Sequence, residues 1–128
     1  GIDKIVLSGT GLTFDLTQVA NQAGSNPDGG SRIDSIEKID LTGSGNNTLK
    51  LTAKDVLDMG SANLFKVTGR QQLMVTGNAG DVVDLADGNG TSDWNKVSKA
   101  VVLDAVSYFE WKHTSLASVY VQSGVVVS

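Results

Sequence analysis

Two stretches of the chain are written alike. Residues 4–11 read KIVLSGTG and residues 38–47 read KIDLTGSGNN. In each, an alternating apolar strand runs into a hydroxyl residue and a Gly-x-Gly turn. Alternation places Ile39 and Leu41 on one face. LFKVTG (64–69) and LMVTG (73–77) close in the same Thr-Gly step. Second strands follow or intervene: LTFDLT (12–17), NTLKLT (47–52) and GDVVDL (80–85). Leu64, Leu73 and Val82 are nine residues apart, Phe65, Met74 and Val83 keep that step, and Leu41 to Leu51 is ten. Antiparallel hairpins need no fixed period. Coils of a parallel roll or solenoid do, because each coil must turn the same face inward. At the corner the hydroxyl can bond the turn backbone, and glycine is expected to supply a positive φ.

Short helical turns punctuate this pattern. Thr52 and Asp55 stand as in a capping box, ahead of Val56, Leu57 and Met59 and a stop at Gly60. Thr17 is placed to cap a turn through Val19 and Ala20. The unit strand, turn, strand, helical turn is therefore expected at 7–20 and again at 41–59. Residues 23–31 (AGSNPDGGS) and 88–93 (GNGTSD) read as loops. Beyond them KAVVLDAV (99–106), YFEW (108–111), SVYVQ (118–122) and VVV (125–127) read as strands of an antiparallel part that closes the open end of the repeat. The predicted class is all-β: a short parallel β-roll or solenoid-like stack with small helical turns and an antiparallel closing part, in one domain over 1–128. A β-sandwich of seven or eight strands is the alternative.

Composition narrows the function. Hydrophobic residues make up 40% and charged residues 19% of 128, enough for one globular core. There is no cysteine, so a secreted version needs a stabiliser other than disulfides, and bound cations are a candidate. A net charge of −4 with singly scattered basic residues argues against nucleic acid as a partner. No long apolar run or basic amphipathic helix points to membrane insertion. The chain reads as a monomeric segment of a longer protein.

The run IDSIEKIDLTGSGNNTLKLTAKDVLDM (33–59), followed by LMVTGNAGDVVDL (73–85), resembles a module of large bacterial RTX proteins, the type I-secreted, calcium-binding adhesins and related surface proteins. The Trp94 region and the tail over 108–127 resemble that family's closing segment. The resemblance implies an extracellular, cell-surface location, a calcium link, neighbouring domains of the same long chain as partners, and no enzyme activity. The family's calcium-binding nonapeptide G-G-x-G-x-D-x-U-x is approached only by GNAGDVVDL (77–85), where the second glycine is missing and Asp81 falls one place early.

Candidate sites follow from side-chain chemistry. Calcium takes six to eight hard oxygens, and Asp81, Asp84, Asp87, Asn89 and Asp93 form the best set; solvated turn residues are the competing reading. Asn46 and Asn47 suit left-handed backbone or a ladder between coils, ahead of an ion or sugar site. Trp94, Tyr108, Trp111 and Tyr120 belong to an aromatic-rich tail holding five of the seven aromatics, and Trp94, Tyr108 and Trp111 are candidates for stacking on a glycan or peptide. Trp94, in its loop, is the expected exposed member. Tyr108 and Glu110 should share one strand face, Phe109 and Trp111 the other. His113 is the sole histidine, and no nucleophile elbow accompanies it. Three functions follow: a structural scaffold or cap in the adhesion region, a glycan- or peptide-binding domain, or an accessory domain of a secreted hydrolase.

Overall fold

A computed structural model describes residues 3–18, 36–43, 45–59, 61–62, 65, 68–85 and 94–128. The elements are β1 (Asp3–Val6), β2 (Thr13–Asp15), a 3₁₀ turn (Leu16–Gln18), β3 (Ile36–Asp40), β4 (Thr48–Leu51), α1 (Ala53–Met59), β5 (Ser61–Ala62), β6 (Gln71–Thr76), β7 (Val82–Leu85), β8 (Trp94–Lys96), β9 (Val101–Leu103), β10 (Val106–His113), β11 (Ala117–Gln122) and β12 (Val126–Val127). The described chain is therefore mostly β. The larger sheet has the order β1-β3-β6-β11-β10-β8, with β5 beside β6 and β9 beside β10. The smaller has the order β2-β4-β7-β12.

Register ties the two sheets together. In the larger sheet Ile5, Ile39, Val75 and Val121 lie side by side on parallel strands. In the smaller, Phe14, Leu49, Val83 and Val127 do the same. Strand pairs β1/β2, β3/β4, β6/β7 and β11/β12 thus form four rungs, each with one strand in each sheet. The inward positions of neighbouring rungs fill the space between. Ile39, Leu41, Leu49, Leu51, Leu73, Val75 and Val83 are wholly buried there, with Leu16 and Val56 from the helical turns. Each such side chain contributes roughly 1.5–3 kcal/mol by leaving water.

The true repeat is longer than the nine-residue step. Ile5 and Ile39 are 34 residues apart, Ile39 and Val75 are 36, and Val75 and Val121 are 46. Leu73 and Val82 belong to one rung, on opposite sides of its corner. Leu41 and Leu51 also straddle one corner. Only the ten-residue step joins two inward positions: Leu41 and Leu51 are both buried, whereas Val82 alternates with the buried Val83 and Leu85, so the nine-residue step changes face. The stacking distance was written in KIVLSG and KIDLTG, since Lys4 pairs with Lys38. Of the expected strand at 64–69, Phe65, Thr68 and Gly69 sit in bends, and the other three residues lie outside the described set.

The closing part differs as well. β9 pairs antiparallel with β10, and β10 with β11, as expected; β8, where Trp94 was expected in a loop, also pairs antiparallel with β10. But β11 and β12 run parallel to β6 and β7 and form the fourth rung. Val119, Val121 and Val127 of these strands, with Val125 just before β12, join the common core.

Local chemistry fixes the elements. Thr52 and Asp55 make the capping box: Thr52 N–H donates to Asp55 Oδ2 at 2.8 Å, and Asp55 N–H to Thr52 Oγ1 at 3.3 Å. Asp40 ends β3 by accepting Thr42 N–H at 2.8 Å, while Asp15 accepts Thr17 N–H at 2.9 Å after β2. Burial pushes the Asp40 carboxyl up, but the Thr42 and Thr76 hydrogen bonds and Lys4 outweigh it and hold the group below its usual range. The Gly43 corner has a different cause from the one expected. Gly43 has no positive φ; a Cβ there would stand 2.6 Å from Leu7 O and 2.8 Å from Gly9 O of the rung before. Glycine is required because two rungs touch backbone to backbone.

Candidate functional site

Asp81 and Asp84 do not converge. Asp84 alternates with the buried Val83 and Leu85 and points out of the smaller sheet. Asp81 is fully buried at the head of β7. Its Oδ1 accepts Asn47 N–H at 2.8 Å and its Oδ2 accepts Asn78 N–H at 2.6 Å. Both carboxylate oxygens thus already accept N–H protons, which stand where a cation would have to bind, and Asp84 points away from them. Asp87, Asn89 and Asp93 lie outside the described residues. Among the described residues no group of three metal-ligating side chains forms.

Asp81 instead belongs to a ladder. Leu12, Asn47, Asp81 and Val125 each precede a register-matched strand start. Buried Asn47 accepts Leu12 N–H through Oδ1 at 2.9 Å and donates through Nδ2 to Gly9 O at 3.1 Å and Leu41 O at 3.2 Å. Asp81 then accepts from Asn47 in the same way. Each polar residue captures the N–H of the rung before, the ladder role expected of asparagine here.

A second polar group lies on the outer face of the larger sheet, where sequence reading had placed none. Arg70 donates through Nε to Ser118 Oγ at 2.7 Å, and through Nη2 to the carbonyls of His113, Ser115 and Ala117 at 2.6, 2.9 and 2.8 Å. Ser118 Oγ donates to the buried Glu110 Oε2 at 2.9 Å. Beside this relay sit Met74, Tyr108 and Tyr120, a small second core covered by Phe65, Val101, Leu103 and Val106. The Tyr120 hydroxyl meets no partner in hydrogen-bond geometry. Burial, and then the nearby Glu110 charge, push its phenol up to about 12. Burial, and then Asp104, also push Tyr108 up. The one legible signal was the shared face of Tyr108 and Glu110. Arg70 and Ser118 are 48 residues apart, and nothing local joins them.

The three candidate aromatics are dispersed. Trp94 is buried, at the start of a strand, with its ring 4.9 Å edge-on from His113. It is a core residue because β8 pairs with β10 and turns that position inward. Tyr108 is buried on the opposite face of β10 from Trp111. Trp111 lines open space. It shares a groove of about 260 Å³ with Lys96, Phe109, Gln122, Val125 and Val127. Lys96 Nζ stands 4.2 Å from the Phe109 ring centre and 6.0 Å from that of Trp111, a cation–π arrangement. The groove lies where the larger sheet continues past β11 into β10 and β8 while the smaller stops at β12.

His113 makes a local turn with Ser115: Ser115 N–H donates to His113 Nδ1 at 3.0 Å, and the Ser115 hydroxyl lies 2.9 Å from the same nitrogen. That hydroxyl also accepts Ala117 N–H at 3.3 Å, so it holds the β10–β11 turn. Among the described residues no helix is long and apolar enough to cross a membrane. No family model, curated protein or solved structure matches this chain.

Proposed function

We propose that the chain is a non-enzymatic structural module of a long extracellular bacterial adhesin of the RTX kind, a short β-roll-like stack that acts as spacer, scaffold or cap beside neighbouring domains. The observation that carries this reading is the ladder: buried Asn47 and Asp81 bond rung to rung instead of facing a ligand. The sequence resemblance supplies the extracellular context. Calcium is the ion proposed for it; at ten times its Kd one bound ion adds about 1.4 kcal/mol.

The test is made on the isolated chain. A spacer or cap is expected to unfold cooperatively as a monomer and to leave a glycan array unlabelled. Its melting temperature is expected to rise with calcium relative to chelator. Array binding that disappears with Trp111→Ala in a folded protein would replace this reading with a glycan-binding domain. An unchanged melting temperature would remove calcium from it.

A further inference from the structure

The two sheets do not end together, and the mismatch defines a place for one more strand. β10 and β8 extend the larger sheet beyond the fourth rung, and among the described residues no strand of the smaller sheet stands opposite them. The smaller sheet ends on β12. Val126 N–H donates to Asp81 O at 3.0 Å and Ser128 N–H to Val83 O at 2.9 Å, so both face β7. By alternation the N–H and C=O of Val127 face the other way, along the free edge. Facing that edge across the groove are Trp111 and Phe109, both half-buried, with Lys96 over their rings.

We propose that this end of the molecule binds an extended peptide strand of a partner protein, which adds to β12 and buries its inward apolar side chains against Phe109 and Trp111. Three observations select this occupant. The free edge offers a donor and an acceptor at strand spacing, the chemistry a peptide backbone matches and a sugar does not. The groove, at about 260 Å³, is smaller than the roughly 300–1,000 Å³ of small-molecule clefts and suits one or two side chains. Lys96 is the exposed charge at the groove, so the partner strand carries a carboxylate there. A second copy stacked as a fifth rung is excluded. β10 already occupies the position beside β11 that its first strand would need. The proposal does not rest on the adhesin reading.

The probe is a capped synthetic peptide copying residues 80–85 (GDVVDL), the segment that already pairs with β12 on its other edge. Amide-shift titration is expected to show saturable binding that moves the Val127 amide and the Trp111 indole and slows Val127 amide exchange. Trp111→Ala and Val127→Pro are each expected to weaken binding by about tenfold or more. The proline removes only the outward-facing N–H, and a retained melting transition verifies folding. Lys96→Glu should weaken the peptide more than a copy with asparagine at both acidic positions. Absence of saturation at millimolar peptide overturns the proposal. So does binding by a folded Val127→Pro protein equal to the parent's. If that variant does not fold, unslowed Val127 amide exchange in the peptide-bound parent overturns it instead. An oligosaccharide that moves Trp111 where the peptide does not would assign the groove to a sugar.

Discussion

Polar groups are buried in two regions of this molecule, and the regions differ in what lies at the other end of each bond. In the corner ladder Asn47 and Asp81 bond to backbone N–H and C=O groups of the neighbouring rung. On the outer face Glu110 is held by a side chain, Ser118, itself held by the Arg70 side chain. A backbone N–H cannot be mutated away, so a ladder residue that is lost leaves its partner stranded. Side-chain partners can be removed together. The ladder is therefore obligatory for the rung geometry, whereas the side-chain part of the cluster, Glu110 with Ser118, is replaceable as a set; Arg70 also holds the backbone carbonyls of His113, Ser115 and Ala117.

The largest expected effect tests the ladder. Asp81→Ala strands two N–H groups, of Asn47 and Asn78, each worth about 1–3 kcal/mol. Urea unfolding should show a loss of about 4 kcal/mol, and Asp81→Asn, which keeps one acceptor, a smaller one. Next comes the cluster. Arg70→Met alone should be destabilising by about 3 kcal/mol, and the triple replacement Arg70→Met, Ser118→Ala, Glu110→Leu should recover the part that belongs to the side-chain partners, while the carbonyls of His113, Ser115 and Ala117 stay without Arg70. A triple variant as unstable as the single one would erase the contrast between the regions.

Two smaller effects sharpen it. Asp104 and Ala105, in the two-residue turn joining β9 to β10, have φ of 50° and 64°. The turn needs left-handed backbone at both places, where alanine carries strain. Ala105→Gly should raise stability by about 1 kcal/mol in the same assay. Smallest is Tyr120→Phe. It deletes a hydroxyl without hydrogen-bond geometry and should be neutral or slightly stabilising at pH 7. In the fold Tyr120 keeps its proton to about 12, while the unfolded chain releases it near 10.0. The stability it contributes is complete below the lower value and drains away as pH rises to the upper one. Wild type should therefore lose stability across that window more steeply than Tyr120→Phe.

Sequence conveyed the repeating unit because its determinants are local. The capping box at Thr52 and Asp55, the apolar alternation and the glycine corners each act within a few residues. The stacking distance was also present, in the paired KIVLSG and KIDLTG, but was masked by the nearer nine-residue echo across a corner. The direction of β11 and β12 could not be read locally, because Val119, Val121, Val125 and Val127 alternate identically in a parallel or an antiparallel strand. Trp94 was misplaced for a related reason: its burial depends on pairing with His113, nineteen positions later. Of the candidate site, Trp111 was named and Lys96 was not. A lone lysine carries no signal until the β8–β10 pairing sets it over two rings.

Neighbouring rungs join residues at least 33 positions apart in the larger sheet. A nascent or translocating chain shorter than one such interval has no rung for its first strands to close upon. Closing loops of this length before any contact rewards them makes folding slow by comparison with helical bundles. The same spacing delays closure: the first rung gains its contacts only after the second has been made.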